Sequence, residues 1–141
     1  MRTSALILAA LTATGVAAEL PRSEYVLIVH PGNAVSRIDR NLLAEIFLRR
    51  ATRWPDDSPI RPVDLVPDSR TRARFSQEIL SRSVSSVRSY WQQRIFSGQG
   101  LPPPELGDSD AVVSYVLSHP GAIGYVAPGT ALKGATMVEM N

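Results

Sequence analysis

The stretch Tyr25-Val26-Leu27-Ile28-Val29 decides the fold class of this chain. A continuous apolar run of this length, rich in β-branched residues, is typical of a strand buried on both faces of a sheet. Residues 31–33 (Pro-Gly-Asn) end the run, and the apolar side chains of residues 42–47 recur at helical spacing behind a capping pair, Ser36 and Asp39. The sequence therefore predicts a buried strand followed by a helix that packs on the same sheet.

The rest of the chain repeats this alternation of strands and helices. Further strands are predicted at residues 60–66, 122–126 and 136–139, and further helices begin after Ser69, after Ser83 and after Asp108 or Ser109. Residues 49–58 and 97–107 carry the turn-forming residues of loops. We therefore predict an α/β fold, a small mixed sheet flanked by helices, with residues 19–141 as a single domain.

Length and composition exclude several classes of protein. A chain of 141 residues with 44% apolar and 20% charged residues is one ordinary domain, too short for a two-lobed binding protein or a TIM barrel. A formal net charge of +2 is too small for a dedicated nucleic-acid binder. With no cysteine and two histidines, disulfides and a Cys/His zinc site are excluded, and we expect no metal and no cofactor.

The N-terminus has the pattern of a secretory signal peptide. Arg2 precedes the apolar residues 5–11, and small residues lead to Ala17 and Ala18. We predict that residues 1–18 are removed and that the mature chain is periplasmic, with no membrane insertion after cleavage. The alternative is an N-terminal helix that stays tethered in the membrane.

A candidate binding site lies where the strand at 60–66 gives way to a helix. The first backbone N–H groups of a helix have no partner within it, and this end carries a partial positive charge that stabilises an anion. Ser69 and Thr71 add hydroxyl donors, and Arg70 and Arg72 add guanidinium groups. The alternative is ordinary capping, in which Asp68 or Ser69 satisfies those N–H groups.

Three segments carry a resemblance to a known family: Leu42-Leu43-Ala44-Glu45-Ile46-Phe47 with Thr52-Arg53-Trp54; Ser69-Arg70-Thr71 with Phe75; and Pro120-Gly121-Ala122-Ile123-Gly124-Tyr125-Val126. In this order they resemble the phosphate-binding proteins of phosphate ABC transporters. The resemblance implies one lobe of a type II periplasmic-binding-protein fold, in which Ser69 and Thr71 face a phosphate. The chain departs from the family at Arg70, where the family has Gly, at Leu65, where it has Arg, and in lacking the opposing lobe.

Two functions follow as expectations. The first is a secreted, non-catalytic solute-binding module that holds phosphate or a similar oxyanion at Ser69, Arg70, Thr71 and Arg72, with a transporter, a sensor or a second copy completing the site. The second is a ligand-free accessory protein of a periplasmic transport or sensing system, docking through residues 49–54 and 97–106. An enzyme is not expected, because no nucleophile and base can be paired and Ser69 lacks a nucleophile elbow.

Overall fold

The computed structural model describes residues 23–141 of the chain. Its elements are, in chain order, β1 (Val26–Val29), β2 (Arg37–Ile38), α1 (Arg40–Phe47), β3 (Arg61–Pro62), β4 (Asp64–Leu65), α2 (Arg70–Phe75), a π-helical segment (Ser76–Leu80), α3 (Val84–Phe96), β5 (Glu105–Leu106), α4 (Ser109–Ser118), β6 (Ala122–Val126) and β7 (Thr136–Met140). The α/β prediction is confirmed. The predicted signal peptide, residues 1–18, lies outside the described residues.

The main sheet has five strands in the order β2-β7-β1-β6-β3. The central strand β1 runs antiparallel to both β6 and β7, whereas the outer pairs β2–β7 and β3–β6 are parallel. The sheet is therefore mixed, as predicted. A second, two-stranded parallel sheet joins β4 to β5 and lies beside the start of α2.

Aromatic packing joins the helices to the main sheet. The rings of Phe75 and Tyr125 stack with their centroids 3.9 Å apart, and Phe47 meets Phe75 edge-on at 4.7 Å. All five residues of β6 are buried, which explains why this strand carries an unbroken apolar sequence. Offset and edge-on aromatic contacts of this kind add to the stabilisation from buried area.

Gly124 sits where α4 crosses β6. A Cβ at this position would lie 2.7 Å from Cγ1 of Val112 and 2.8 Å from Cγ1 of Val63. Only glycine lets the helix approach the strand this closely, which gives a packing reason for the Ile-Gly-Tyr sequence of the strand.

Several predicted elements differ from the observed ones. Residues 60–66 do not form one strand: Arg61 and Pro62 pair with β6, whereas Asp64 and Leu65 pair with β5 in the other sheet. The partner strand β5 lies inside the segment 97–107 that we predicted to be a loop. Because two-residue strands show no periodicity, neither feature is visible in the sequence.

The predicted capping pair ahead of α1 is half right. The Asp39 carboxylate accepts hydrogen bonds from the N–H groups of Asn41 and Leu42, so Asp39 is the cap. Ser36 instead precedes β2, and its carbonyl oxygen accepts the N–H of Glu139. Leu42, one of the apolar side chains predicted to face the sheet, is exposed.

Candidate functional site

The helix start predicted as a binding site is partly capped by its own residues. Ser69 is the N-cap of α2, and its Oγ accepts the N–H of Arg72 at 3.2 Å. Its carbonyl oxygen accepts the N–H of Ala73 at 3.0 Å. The hydroxyl of Ser69 is therefore engaged with the helix it begins.

Two backbone donors at this helix start stay open. Within residues 23–141, the N–H groups of Arg70 and Thr71 have no hydrogen-bond acceptor. A cavity of about 220 Å³ lies beside them, lined by Arg70, Thr71, Arg74 and Glu24. The residues around this cavity carry a hydroxyl and guanidinium groups, and the partial positive charge of the helix end lies close by.

Glu24 brings a negative charge to the rim of this cavity. Its carboxylate is paired with the guanidinium of Arg74, and both side chains are largely exposed. The pair is close to neutral, which leaves Arg70 as the guanidinium at this cavity that no carboxylate in the described part of the chain neutralises.

Arg72 does not line the cavity with Arg70 and Thr71. It is buried, with 4% of its surface exposed, and its guanidinium donates to the carbonyl oxygen of Leu65 at 2.8 Å. It also pairs with Asp64, Nε to Oδ1 at 3.5 Å, and with the carboxylate of Glu105. The structure therefore brings Arg70 and Thr71 together at the cavity and places Arg72 in a separate buried network.

Asp64 and Tyr125 complete that network, and neither was predicted to be a site residue. The Asp64 carboxylate accepts hydrogen bonds from the Tyr125 hydroxyl and from the N–H of Leu65. Burial raises the pKa of Asp64 above its usual range, although the neighbouring Arg72 acts in the opposite direction. Burial and the Asp64 carboxylate also raise the pKa of Tyr125, so its phenol stays protonated and donates.

A groove of about 680 Å³ runs along β1 and β7. The Tyr25 hydroxyl is buried and has no partner among the described residues, and burial together with Glu78 raises the pKa of Tyr25. The acidic residues of the groove, Glu24, Glu78 and Glu139, each pair with an arginine. The groove therefore offers apolar walls and one neutral donor.

The two histidines have local structural partners. Nδ1 of His30 accepts the N–H of Gly32 at 2.9 Å, and the ring of His119 stacks on Tyr115 with centroids 4.0 Å apart. In the described residues, no group of three or more His, Cys, Asp or Glu side chains could hold a metal ion. The same part of the chain contains no helix long and apolar enough to cross a bilayer.

Comparison with known proteins identifies the architecture. A family model described as a PBP superfamily domain matches residues 8–140. No protein of curated function is similar to the chain in sequence.

Solved structures agree with the family model. An ABC-type phosphate transport receptor from Vibrio cholerae superposes with a TM-score of 0.67 at 19% identity, over 83% of this chain and 46% of the receptor. PstS from Borrelia burgdorferi superposes with a TM-score of 0.65 at 18% identity, over 84% of this chain and 47% of that protein. The chain therefore spans less than half the length of these proteins and corresponds to a single lobe.

Proposed function

Because the chain belongs to the periplasmic-binding-protein superfamily, we propose that it is a secreted, non-catalytic module that holds a small oxyanion against the start of α2. The observation that supports this proposal is the pair of open N–H groups of Arg70 and Thr71 beside a cavity. Phosphate is the first candidate, because Ser69 and Thr71 match a phosphate loop in the family that the chain resembles, and one similar structure is a phosphate transport receptor.

The donors at this cavity suit a tetrahedral oxyanion. Free amides at the start of a helix point along its axis, where the partial positive charge lies, and Thr71 adds a hydroxyl at this end of α2. The exposed Arg70 side chain adds a charge-assisted donor from the rim. Ser69 serves as the cap that holds the amides in place, and Arg72 contributes only through the network behind Leu65.

One lobe limits the affinity of such a site. The best small ligands reach about −1.5 kcal/mol per heavy atom, so a five-atom anion reaches roughly −7 kcal/mol, or about micromolar. With half of the enclosing contacts absent, a dissociation constant of about 1 mM follows from the same scale. We therefore propose that a transporter, a sensor or a second copy of the chain closes the site during function.

The test is an amide-resolved NMR titration with phosphate, with sulfate as a second tetrahedral anion. We expect the resonances of Arg70 and Thr71 to shift with saturation near millimolar phosphate, and the Thr71→Val variant to bind more weakly. Thr136→Val is the matched control, because Thr136 is also half-buried but lies on β7, away from the cavity. Amides of residues 69–72 that stay unmoved in excess phosphate would contradict the proposal.

A second candidate is the ligand-free accessory protein. One observation favours it: the Arg72 guanidinium, which was predicted to bind an anion, already pairs with the carboxylates of Asp64 and Glu105. A flat titration together with an intact fold would select this alternative, whereas hydrolysis of phosphate esters by the purified protein would contradict both.

Export is part of the same proposal. We infer that residues 1–18 form a leader and that the mature chain begins at Glu19 in the periplasm. Mass spectrometry of the protein recovered from the periplasmic fraction tests this, and an intact mass that includes residue 1 would contradict it.

A further inference from the structure

Three large apolar side chains lie exposed at the end of α3 and in the loop after it. Ile95, Phe96 and Leu101 are 48%, 96% and 69% exposed, and we call these three residues the apolar tip. Only two other large apolar side chains of the described residues are exposed, Leu42 and Met137, and they lie in separate elements. A cluster of this kind marks a contact site rather than scattered surface residues.

Phe96 is almost fully exposed at the apolar tip, whereas Ile95 and Leu101 also line two separate open cavities beside it. The loop turns through Gly98 and Gly100, whose φ angles are +71° and +135°. A Cβ built on either glycine meets no atom within 4 Å, so the loop stands clear of the rest of the described chain. A protruding tip fits a deformable partner more readily than a rigid flat one.

The segment that carries the apolar tip is basic. Residues 79–104 contain Arg82, Arg88 and Arg94 and no Asp or Glu, although the whole chain has a formal net charge of only +2. None of the three arginines pairs with a carboxylate of residues 23–141. Arg88 lines a cavity with Ile95 of the apolar tip and with Asp64 and Glu105, both of which pair with Arg72. The three arginines are therefore able to pair with an external anion.

The ring of Tyr90, on the same helix as Ile95 and Phe96, lies close to three guanidinium groups. The guanidinium carbons of Arg82 and Arg94 lie 5.1 and 5.2 Å from the centre of the Tyr90 ring, and that of Arg50 lies at 6.0 Å. Nε of Arg94 is buried and has no hydrogen-bond partner in the described residues. Stacking on an aromatic face holds these guanidinium groups near one another despite their repulsion.

A second copy of the chain offers little to complement this face. Seven carboxylates of the described residues already pair with arginines of the same chain: Glu24, Glu45, Asp57, Asp64, Glu78, Glu105 and Glu139. The remaining carboxylates include the helix caps Asp39 and Asp108. Charge complementarity therefore points to a partner that is itself anionic and can take up apolar side chains.

We propose that this end of the molecule docks on the surface of an anionic lipid bilayer. Phe96 and Leu101 enter the boundary between head groups and acyl chains, and Arg82, Arg88 and Arg94 lie against the lipid phosphates. Apolar side chains flanked by arginines bind such interfaces, and each arginine near an anionic surface adds to the attraction. This peripheral contact needs no membrane-spanning helix, and it does not depend on oxyanion binding at α2.

The test uses the full chain as the cell processes it, mixed with vesicles and separated by flotation. We expect binding to vesicles of phosphatidylglycerol and phosphatidylcholine, little binding to phosphatidylcholine alone, and weakening by added salt. Phe96→Ser should lower the partition coefficient about tenfold, since one buried large apolar side chain has an effect of that order. Met137→Ser, which removes an exposed apolar side chain from β7, should leave it unchanged.

A charge-matched pair of variants tests the arginines. Arg88→Gln with Arg94→Gln should weaken binding strongly, whereas Arg37→Gln with Arg53→Gln removes the same net charge elsewhere and should weaken it much less. All variants keep the same N-terminus, so any retained leader affects them equally.

A spectroscopic reporter places the tip in the bilayer directly. Trp54 and Trp91 are each 5% exposed, so a Phe96→Trp variant adds the one tryptophan that the lipid can reach. Its emission should shift to shorter wavelength on anionic vesicles and be quenched by brominated lipids, while the parent protein changes little.

Three outcomes overturn the proposal. The first is an absence of flotation with anionic vesicles. The second is flotation that Phe96→Ser leaves unchanged, which would mean adsorption by charge alone. The third is a dimer in solution that Phe96→Ser dissociates, which would make a second copy the occupant of the tip.

Discussion

The guanidinium of Arg72 donates a hydrogen bond of 2.8 Å to the carbonyl oxygen of Leu65, seven residues earlier in the chain. In the resemblance to phosphate-binding proteins, Leu65 is the residue that stands in place of an arginine. Arg72, on the following helix, also pairs with Asp64, the residue before Leu65. The Arg72 guanidinium therefore stabilises the junction of β4 and α2 and does not line the cavity beside Arg70 and Thr71.

Removing the Arg72 guanidinium should lower the free energy of unfolding. Arg72→Met leaves the buried Asp64 carboxylate without its cation, and breaking a buried pair in this way costs about 3–5 kcal/mol. Urea unfolding followed by circular dichroism measures the free energy of unfolding. Arg74→Met is the control, because its partner Glu24 is exposed and such pairs contribute about 1 kcal/mol or less.

A double variant separates charge from packing at the same pair. Asp64→Asn in the Arg72→Met background should restore part of the lost stability, since no charge then stays buried alone. If the loss in free energy of unfolding of the double variant equals the sum of the two single losses, the ion pair is not the cause of the instability of Arg72→Met.

The stability of the protein should depend on pH through Asp64. Burial raises the pKa of Asp64 above the ordinary value of 3.8, so the folded state holds the proton more tightly than the unfolded state. The free energy of unfolding of the parent, relative to Asp64→Asn, should be highest below pH 3.8 and fall as the pH rises through the native pKa. A difference that instead grows with pH would mean that Arg72 and Tyr125 outweigh burial.

Ser69 and Thr71 should separate into a capping residue and a ligand-binding residue. Ser69→Ala removes the acceptor for the Arg72 N–H and should lower the free energy of unfolding by about 1 kcal/mol. Thr71→Val has no capping bond to lose, so its stability should stay near that of the parent while phosphate binding weakens. Thermal unfolding and the NMR titration together measure both effects, and equal loss of stability in the two variants would contradict this division.

Gly121 should tolerate no side chain. It has a φ of +84°, and a Cβ there would lie 2.3 Å from the carbonyl oxygen of Pro59. Gly98 shares a left-handed φ of +71° but has open space around it, so Gly98→Ala carries only the backbone strain of about 1–2 kcal/mol. Gly121→Ala should cost about 1–3 kcal/mol more, because a backbone atom must move. Urea unfolding of the two variants isolates the effect of that contact. Equal losses in the free energy of unfolding would show that the backbone at Pro59 moves away from the added Cβ at no cost.

Local patterns predicted the parts of the fold that depend on local sequence. The apolar runs at β1 and β6 and the caps Asp39, Ser69, Ser83 and Asp108 all appear in the structure because each is decided within a few residues. The division of residues 60–66 between two sheets depends on β5, some forty residues away, whose two residues carry no pattern of their own. Long-range pairing of this kind is invisible to a periodicity argument.

The candidate site divides in the same way. The capping role of Ser69 follows from its residue type and place, and it was one of the two readings of the sequence. The burial of Arg72 depends on Asp64, Tyr125 and Glu105, which come from three separate strands. One signal was present: an aspartate inside a predicted strand needs a cation or a donor if that strand is buried, and the helix that follows carries Arg70 and Arg72 in its first turn.

The position of β7 between β2 and β1 has a consequence for biogenesis. Both sheet neighbours of β1, the strands β6 and β7, come from the last twenty residues of the chain. Strand β1 can therefore pair within this sheet only after residues 122–140 have been made. Closing the sheet is accordingly a late step of folding, because pairings between residues this far apart in sequence form slowly.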